Sequence, residues 1–270
     1  MDESCRIWLE EEATYRTTGA QPQWLQSPLR TIVIYITPLA IATIMTYNIV
    51  EMRKFYALAN ECHWNHLVYI IGVLLGDGSI YKSHHRCIHW KTGLPSPTYT
   101  IELRVADVSF ASEFAQRLTM TLHRPDHRRW KVSPIKGSPG KWRVIVRNKS
   151  FGEWWKSLSK DDITNWALRF PRDFLRGVYD SEGNLVVSPE GWPTVRIFNS
   201  EKWILEILCL ALNALGLRAR PKMFRKRGSP VKILGAQSIS GKDLWFIAPR
   251  PARRFIELVG SSIPRKMLNS

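Results

Sequence analysis

Two segments of the chain share one pattern of apolar positions, and each ends in an acid followed by glycine. The first is YIIGVLLGDG at residues 69–78, and the second is FLRGVYDSEG at residues 174–183. Asp77 and Glu182 occupy the same place in the two segments. A single Asp-Gly pair is ordinary turn sequence. Its repetition after two apolar runs predicts two related helices that each end at a carboxylate.

The periodicity of the remaining chain predicts the same order of elements after each motif. An apolar run reads as a buried helix, and alternation with period two reads as a strand. Helices are predicted at residues 61–76, 108–122, around 154–155, 201–215, 243–247 and 251–259, and strands at 79–90, 99–105, 141–147, around 195–197, 217–222 and 231–239. Asp107 is placed to cap the second helix, and Gly216 to end the helix at 201–215.

This order indicates an internal duplication, since each half reads helix, two strands, helix, two strands, helix. The predicted fold is α+β, with two αββαββα halves at residues 51–160 and 161–270. The first hairpin of the first half is longer than that of the second half, which makes the halves unequal.

The first fifty residues fit neither half. Residues 31–50 carry no charge over a length that suits a bilayer span. Pro38, Asn48 and four threonines in that stretch argue against a membrane span. A membrane-associated extension, a disordered one, and a product that begins at Met45 or Met52 all stay open.

The charge of the chain indicates a polyanionic partner. The 39 Lys and Arg residues outnumber the 23 acids, for a formal charge of +16. Nucleic acid is the first candidate, and a generic solubilising surface is the alternative. Four scattered cysteines form no zinc-binding pattern and indicate a reducing interior, cytoplasmic or organellar.

Small residues recur four apart in both motifs, at Gly72 and Gly76 and at Gly177 and Ser181. This spacing places them on one helix face, where they allow two backbones to approach closely. Docking through these faces would set Asp77 beside Glu182. The third acid, Asp180, has Leu75 as its counterpart, so we expect it to pair locally.

Two carboxylates at helix C-termini face the negative ends of the helix dipoles and repel each other. A divalent cation such as Mg²⁺ resolves this conflict, because it binds carboxylate oxygens together with orphan carbonyls of helix ends, here those of Gly76 and Ser181. The alternative is that both acids merely precede helix-ending glycines.

The predicted strands carry basic side chains on their outward faces, as expected of a surface that neutralises phosphates and reaches base edges in a major groove. The candidate DNA-binding residues are Lys82, Arg86, Arg104, Arg143, Arg147, Asn184, Arg196, Arg218, Arg220 and Lys222, with Lys131 nearby. Any one of them alone would read as a solvated strand residue.

The two motifs resemble the signature of the LAGLIDADG homing endonucleases, in the form where one chain carries both copies. GVLLGDG at residues 72–78 and GVYDSEG at 177–183 match its glycine, small-residue and acid-glycine positions. The resemblance covers residue 61 to the C-terminus. It implies a monomer with a saddle of antiparallel sheets over a central helix pair.

By this resemblance, Asp77 and Glu182 bind Mg²⁺ and catalyse a staggered double-strand cut with 3′ overhangs in a long asymmetric DNA site. The family's peripheral lysine position falls on Lys149, and its weaker equivalent falls on Gln237 or Ser238. Asp107 and Asn199 match the polar position that ends the second strand. An RNA-binding intron maturase and a non-catalytic DNA-binding regulator are the alternatives. The chain lacks splicing blocks, so an intron-encoded or free-standing enzyme is expected.

Overall fold

Two antiparallel four-stranded sheets, with helices packed on them, form most of the described part of the protein. The computed structural model describes residues 64–82, 87–88, 95–96, 98–122, 130–233 and 236–268. Residues 31–50 and the starts at Met45 and Met52 lie outside these ranges. Among the described residues, no helix has the length and apolar character that crossing a membrane requires.

The first half begins with the buried helix that contains the first motif. Its elements are α1 (Trp64–Leu74), β1 (Gly78–Lys82), β2 (Cys87–Ile88), β3 (Pro95–Ser96), β4 (Tyr99–Val105), α2 (Val108–Thr121), β5 (Val132–Pro134), β6 (Trp142–Arg147) and α3 (Lys149–Ser157). The four-stranded sheet has the order β1-β4-β6-β5. The strands β2 and β3 pair with each other inside the connection from β1 to β4.

The second half begins with a helix that connects it to the first half. Its elements are α4 (Lys160–Arg169), α5 (Pro171–Glu182), β7 (Gly183–Val187), β8 (Pro193–Asn199), α6 (Lys202–Ala214), β9 (Lys222–Arg225), β10 (Pro230–Ile233), β11 (Ala236–Ile239), β12 (Leu244–Ile247), α7 (Ala252–Val259) and a 3₁₀ helix (Pro264–Lys266). The second sheet has the order β7-β8-β12-β9, and β10 and β11 form a separate hairpin.

The predicted order of helices and strands is confirmed in the first half and, in the second half, as far as the helix predicted at 201–215. The strand at 99–105 has the predicted bounds. Asp107 caps α2, because its carboxylate accepts from the backbone N–H groups of Ser109 at 3.0 Å and Phe110 at 3.1 Å. Gly216 ends α6 with a φ of 71°. The longer first hairpin is also confirmed, since residues 83–98 join β1 to β4 and only 188–192 join β7 to β8.

Three predictions near the C-terminus were wrong. The helix expected at 243–247 is strand β12, whose four residues include Trp245 and Phe246, and aromatic side chains favour strands. The strand expected at 217–222 begins only at Lys222, since Pro221 cannot donate to a ladder. The strand expected at 231–239 is the hairpin of β10 and β11 and lies outside the four-stranded sheet.

Candidate functional site

The motif helices α1 and α5 pack with their backbones in contact at two glycines. A Cβ on Gly72 would lie 2.6 Å from the carbonyl oxygen of Phe174 and 2.9 Å from the amide nitrogen of Val178. A Cβ on Gly177 would overlap the carbonyl oxygen of Tyr69. Only glycine fits at either position, so the predicted docking of the two glycine faces is confirmed.

The helix ends meet one turn further along, at the second pair of small residues. A Cβ on Gly76 would lie 2.6 Å from Ser181 Cβ and 2.9 Å from Glu182 Cγ. The Ser181 hydroxyl donates to the carbonyl of Gly177 at 3.2 Å and reaches that of Val73 at 3.5 Å. Glu182 therefore lies across the helix interface from the residue that precedes Asp77.

The negative charge of the first motif acid, Asp77, acts on the second, Glu182. Burial raises the pKa of Glu182, the negative charge of Asp77 raises it further, and the result is about 7. Burial also raises the pKa of Asp77, even though its side chain keeps an exposed part. The structure therefore brings together the two carboxylates that the sequence analysis paired.

A buried lysine that the sequence analysis missed lies beside this pair. Lys266, at 4% exposure, donates from Nζ to the backbone carbonyls of Tyr179 at 2.9 Å and Asp180 at 2.7 Å. Its charge lowers the pKa of both Asp77 and Glu182. Burial in turn lowers the pKa of Lys266 to about 8, although nearby acids, Asp180 first, oppose this. In the sequence, Lys266 reads as an ordinary C-terminal surface residue.

Asp180 pairs locally, as expected, and does not join the carboxylate pair. Its carboxylate is 1% exposed and accepts from the Tyr69 hydroxyl at 2.8 Å. It also accepts from the hydroxyl of Ser261 at 2.5 Å and from that of Ser262 at 2.7 Å. The Ser262 amide donates to it as well, at 3.1 Å. This acid thus ties α1 and the C-terminal segment to α5.

Asn199 reaches the end of the first motif helix. It is 7% exposed and donates from Nδ2 to the carbonyl of Leu75 at 3.4 Å. Its Oδ1 accepts from the amide of Glu201 at 2.8 Å. Asp107, predicted for the matching place in the first half, acts as the cap of α2.

No described contact places the residues expected to assist catalysis beside Asp77 or Glu182. Lys149 is the first residue of α3, and its Nζ lies 3.7 Å from Glu153 Oε1. Gln237 and Ser238 lie on β11, away from the fourth strand of the sheet, and their side chains lie outside the description. Both catalytic assignments remain predictions.

The donor atoms at the helix ends fit a hard divalent cation. Among the described residues, no cluster of three or more His, Cys, Asp and Glu side chains lies together. Mg²⁺ does not need such a cluster, since it keeps several waters and binds through one or two carboxylates plus phosphates. Lys266 donates to the carbonyls of Tyr179 and Asp180 near the C-terminal end of α5. The other two carbonyls of that helix end are those of Ser181 and Glu182.

The candidate DNA-binding side chains lie mainly on the two sheets, which start directly after Asp77 and Glu182. Arg104 pairs across the strands with Arg143, and Asn184 pairs with Arg196. Arg104 also forms an ion pair with Glu102 at 2.6 Å. Exposed basic residues at the other predicted positions are Lys82, Lys131, Arg147, Arg218, Arg220 and Lys222. Arg86 lies outside the described residues.

Sequence comparisons give relatives without an assigned function. No family model matches the chain. Two proteins of Methanocaldococcus jannaschii are similar to it. The uncharacterized protein MJ0314 is 31% identical over 157 residues, which cover 56% of this chain and 54% of that protein. The uncharacterized protein MJ0398 is 27% identical over 205 residues, which cover 74% and 68%. The chain thus spans about half of the first relative and two thirds of the second.

Solved structures give the fold. The chain is similar to the homing endonuclease I-DmoI in its mesophilic variants, with a TM-score of 0.52 and 19% identity over 74% of this chain and 97% of that one. A structure of I-DmoI in complex with DNA and Mn matches with a TM-score of 0.52 and 18% identity over 73% and 97%. The predicted α+β fold of two related halves over a central helix pair is therefore confirmed as that of these homing endonucleases.

Proposed function

We propose that the protein is a site-specific DNA endonuclease that makes a staggered double-strand cut in a long, asymmetric target with the help of Mg²⁺. The observation that carries the proposal is the meeting of Asp77 and Glu182 at the ends of two related helices. Each acid is followed at once by the first strand of a sheet that presents basic side chains. One carboxylate for each DNA strand suits a double-strand cut.

The structural neighbours support DNA as the partner and a divalent cation as the cofactor. I-DmoI has been solved with its target DNA in the presence of Mg, and with DNA and Mn or Ca. The net charge of +16 suits the same partner. Neither the fold nor the comparisons favour intron RNA as a ligand.

The residues have separate roles in this proposal. Asp77 and Glu182, with the carbonyls of Gly76 and Ser181, hold the cation. Bound there, Mg²⁺ would activate a water against the phosphodiester and stabilise the leaving oxygen. Lys149 and Gln237 are assigned to orient that water. The arginines of the two sheets hold phosphates and read bases. One chain contains both sheets and both acids, so the protein works as a monomer on the two DNA strands.

The proposal is tested by selection for cleavage of a randomised DNA library by the full chain in MgCl₂. We expect a long non-palindromic site to be recovered. Asp77→Asn and Glu182→Gln should each reduce its cleavage at least a thousandfold while affinity changes less than threefold. Asp161→Asn, at an exposed acid of α4, is the control and should cut normally. Normal cutting by either test variant would refute the assignment, and binding without any cutting would favour the DNA-binding regulator.

A further inference from the structure

Three phenylalanines from three neighbouring strands cluster on the second sheet. Phe198 on β8 lies directly opposite Phe246 on β12. Their ring centroids are 5.8 Å apart, and the ring of Phe224 on β9 lies 5.3 Å from that of Phe198 and 6.1 Å from that of Phe246. We call these three residues the phenylalanine cluster.

The phenylalanine cluster lies on the open face of the sheet, away from the helices. Ile197 and Ile247, the neighbours of Phe198 and Phe246 along their strands, are 0% exposed and point into the core. Side chains alternate along a strand, so Phe198 and Phe246 point the other way. Phe224 is 49% exposed. The cluster is thus an apolar surface that the core of the protein does not use.

Equivalent positions in the two sheets are fixed by their registers. Gly78, which follows the first acid, pairs with Leu103, and Gly183, which follows the second acid, pairs with Ile197. Leu103 and Ile197 therefore hold the same place in the two halves, and the register can be read outward from them.

The two sheets differ at the next position along their second strands. The first sheet has Arg104 there, paired with Arg143, and the second sheet has Phe198, paired with Phe246. A cross-strand pair of guanidinium groups in one half is therefore replaced by a pair of phenyl rings in the other. The duplicated fold presents chemically different groups to the two ends of one ligand.

Cationic side chains flank the phenylalanine cluster on the same face. Arg196 precedes Phe198 by two positions and is exposed. Lys222 is exposed and pairs with Phe246 from the outer strand. Cations at both sides of an apolar centre complement a DNA groove, whose phosphates border the base edges.

We infer that the phenylalanine cluster reads the 5-methyl groups of thymines in one half of the target, while Arg104 and Arg143 contact guanine edges or phosphates in the other half. The inference rests on the proposed DNA target. Thymine is the one base that offers an apolar group in the major groove, and phenylalanine is a suitable contact for it. Guanidinium groups suit guanine O6 and N7 instead.

The experiment starts from DNA selected for binding to the full wild-type chain in EDTA, from a randomised duplex library. Each thymine of the selected duplex is then replaced in turn by deoxyuridine, which removes only the methyl group. We expect affinity to fall about threefold to fivefold at each contacted thymine, as for burial of one methyl group. Arg196→Ala should relax the base preference in one half of the DNA target. The thymines whose replacement by deoxyuridine lowers affinity should lie in that same half.

Phe224→Ala provides the matching protein change. It should lower the affinity for the duplex with thymine to that for the duplex with deoxyuridine. The affinity for the duplex with deoxyuridine should stay the same. The control is Ile145→Ala, at an exposed apolar residue of the first sheet, which should leave this discrimination intact. The deoxyuridine comparison uses wild-type protein, so it holds even if a variant fails to fold.

The outcomes separate this inference from the proposed function. If no sequence is enriched, the proposed DNA target itself is wrong. If a sequence is enriched but deoxyuridine has no effect in either half, the inference is overturned and specific DNA binding stands. If sedimentation shows a dimer that Phe224→Ala dissociates, a second copy covers the cluster and the inference is again overturned.

Discussion

Lys266 Nζ donates a 2.7 Å hydrogen bond to the backbone carbonyl of Asp180, two residues before the second acid of the candidate site. The bond holds a cation at the C-terminal end of α5, where the helix dipole favours positive charge. It also offsets the repulsion between Asp77 and Glu182. Lys266 thus explains how two carboxylates are held together at helix ends in the protein itself.

Lys266→Met is expected to shift the pH dependence of cleavage. Loss of the cation raises the pKa of Glu182 further, and a carboxyl must lose its proton before it binds a metal. We expect the pH of half-maximal cleavage to rise by about one unit and the rate at pH 7 to fall about fivefold. The measurement is single-turnover cleavage from pH 6 to 9.

Arg265→Met is the control for this change, since Arg265 is the exposed neighbour on the same 3₁₀ helix. It should leave the pH profile in place. A uniform loss of rate in Lys266→Met at every pH would assign Lys266 a purely structural role.

The raised pKa of Glu182 makes the stability of the metal-free protein depend on pH. Its pKa is about 7 in the folded protein, against an ordinary value of 4.5. The stabilisation that the protonated Glu182 carboxyl contributes is fully present below pH 4.5. It is lost as pH rises towards 7, because this carboxyl ionises at a lower pH in the unfolded chain than in the folded protein.

Glu182→Gln removes this titration. We expect its free energy of unfolding to exceed that of the wild type by an amount that grows between pH 4.5 and 7, to about 3 kcal/mol. Urea unfolding in EDTA measures it, with exposed Glu201→Gln as the control. Parallel stability curves for Glu182→Gln and wild type would show that Glu182 is not held in a proton-favouring site.

Asp180→Asn is expected to destabilise the fold. The hydroxyls of Tyr69, Ser261 and Ser262 all donate to this carboxylate. An amide nitrogen would face at least one of these donors, so a buried polar group would lose its partner. We expect a loss of about 3 kcal/mol in urea unfolding, against less than 0.5 kcal/mol for exposed Asp161→Asn. An equal effect of both changes would contradict the structural role.

The sequence sufficed for the parts of the site that depend on local pattern. The glycine faces and the two acids follow from helical spacing, and the strand at 99–105 follows from alternation. Asp107 was found as a cap because capping is a contact between residues close in sequence. These features needed no knowledge of how the chain folds back.

Long-range packing supplies what the sequence could not. Lys266 acts on carbonyls of Tyr179 and Asp180, far from it along the chain, and its own neighbours give no signal. The segment that contains Gln237 was read as the fourth strand of the second sheet, because local alternation does not show that β10 and β11 form a separate hairpin. The phenylalanine cluster depends on the register of three strands, which side-chain alternation alone does not fix.

Gly177→Ala tests the close approach of the motif helices on which the site depends. The added methyl group would overlap the carbonyl oxygen of Tyr69, a backbone atom that cannot move without moving α1. We expect a loss of about 2–3 kcal/mol in urea unfolding, since overpacking of a tight core forces a backbone shift. Arg172→Ala, at an exposed residue of the same helix, is the control and should change stability by less than 0.5 kcal/mol. Because the shift also separates Asp77 from Glu182, cleavage by the folded variant should fall at least a hundredfold, and full activity would show that the acids act without this contact.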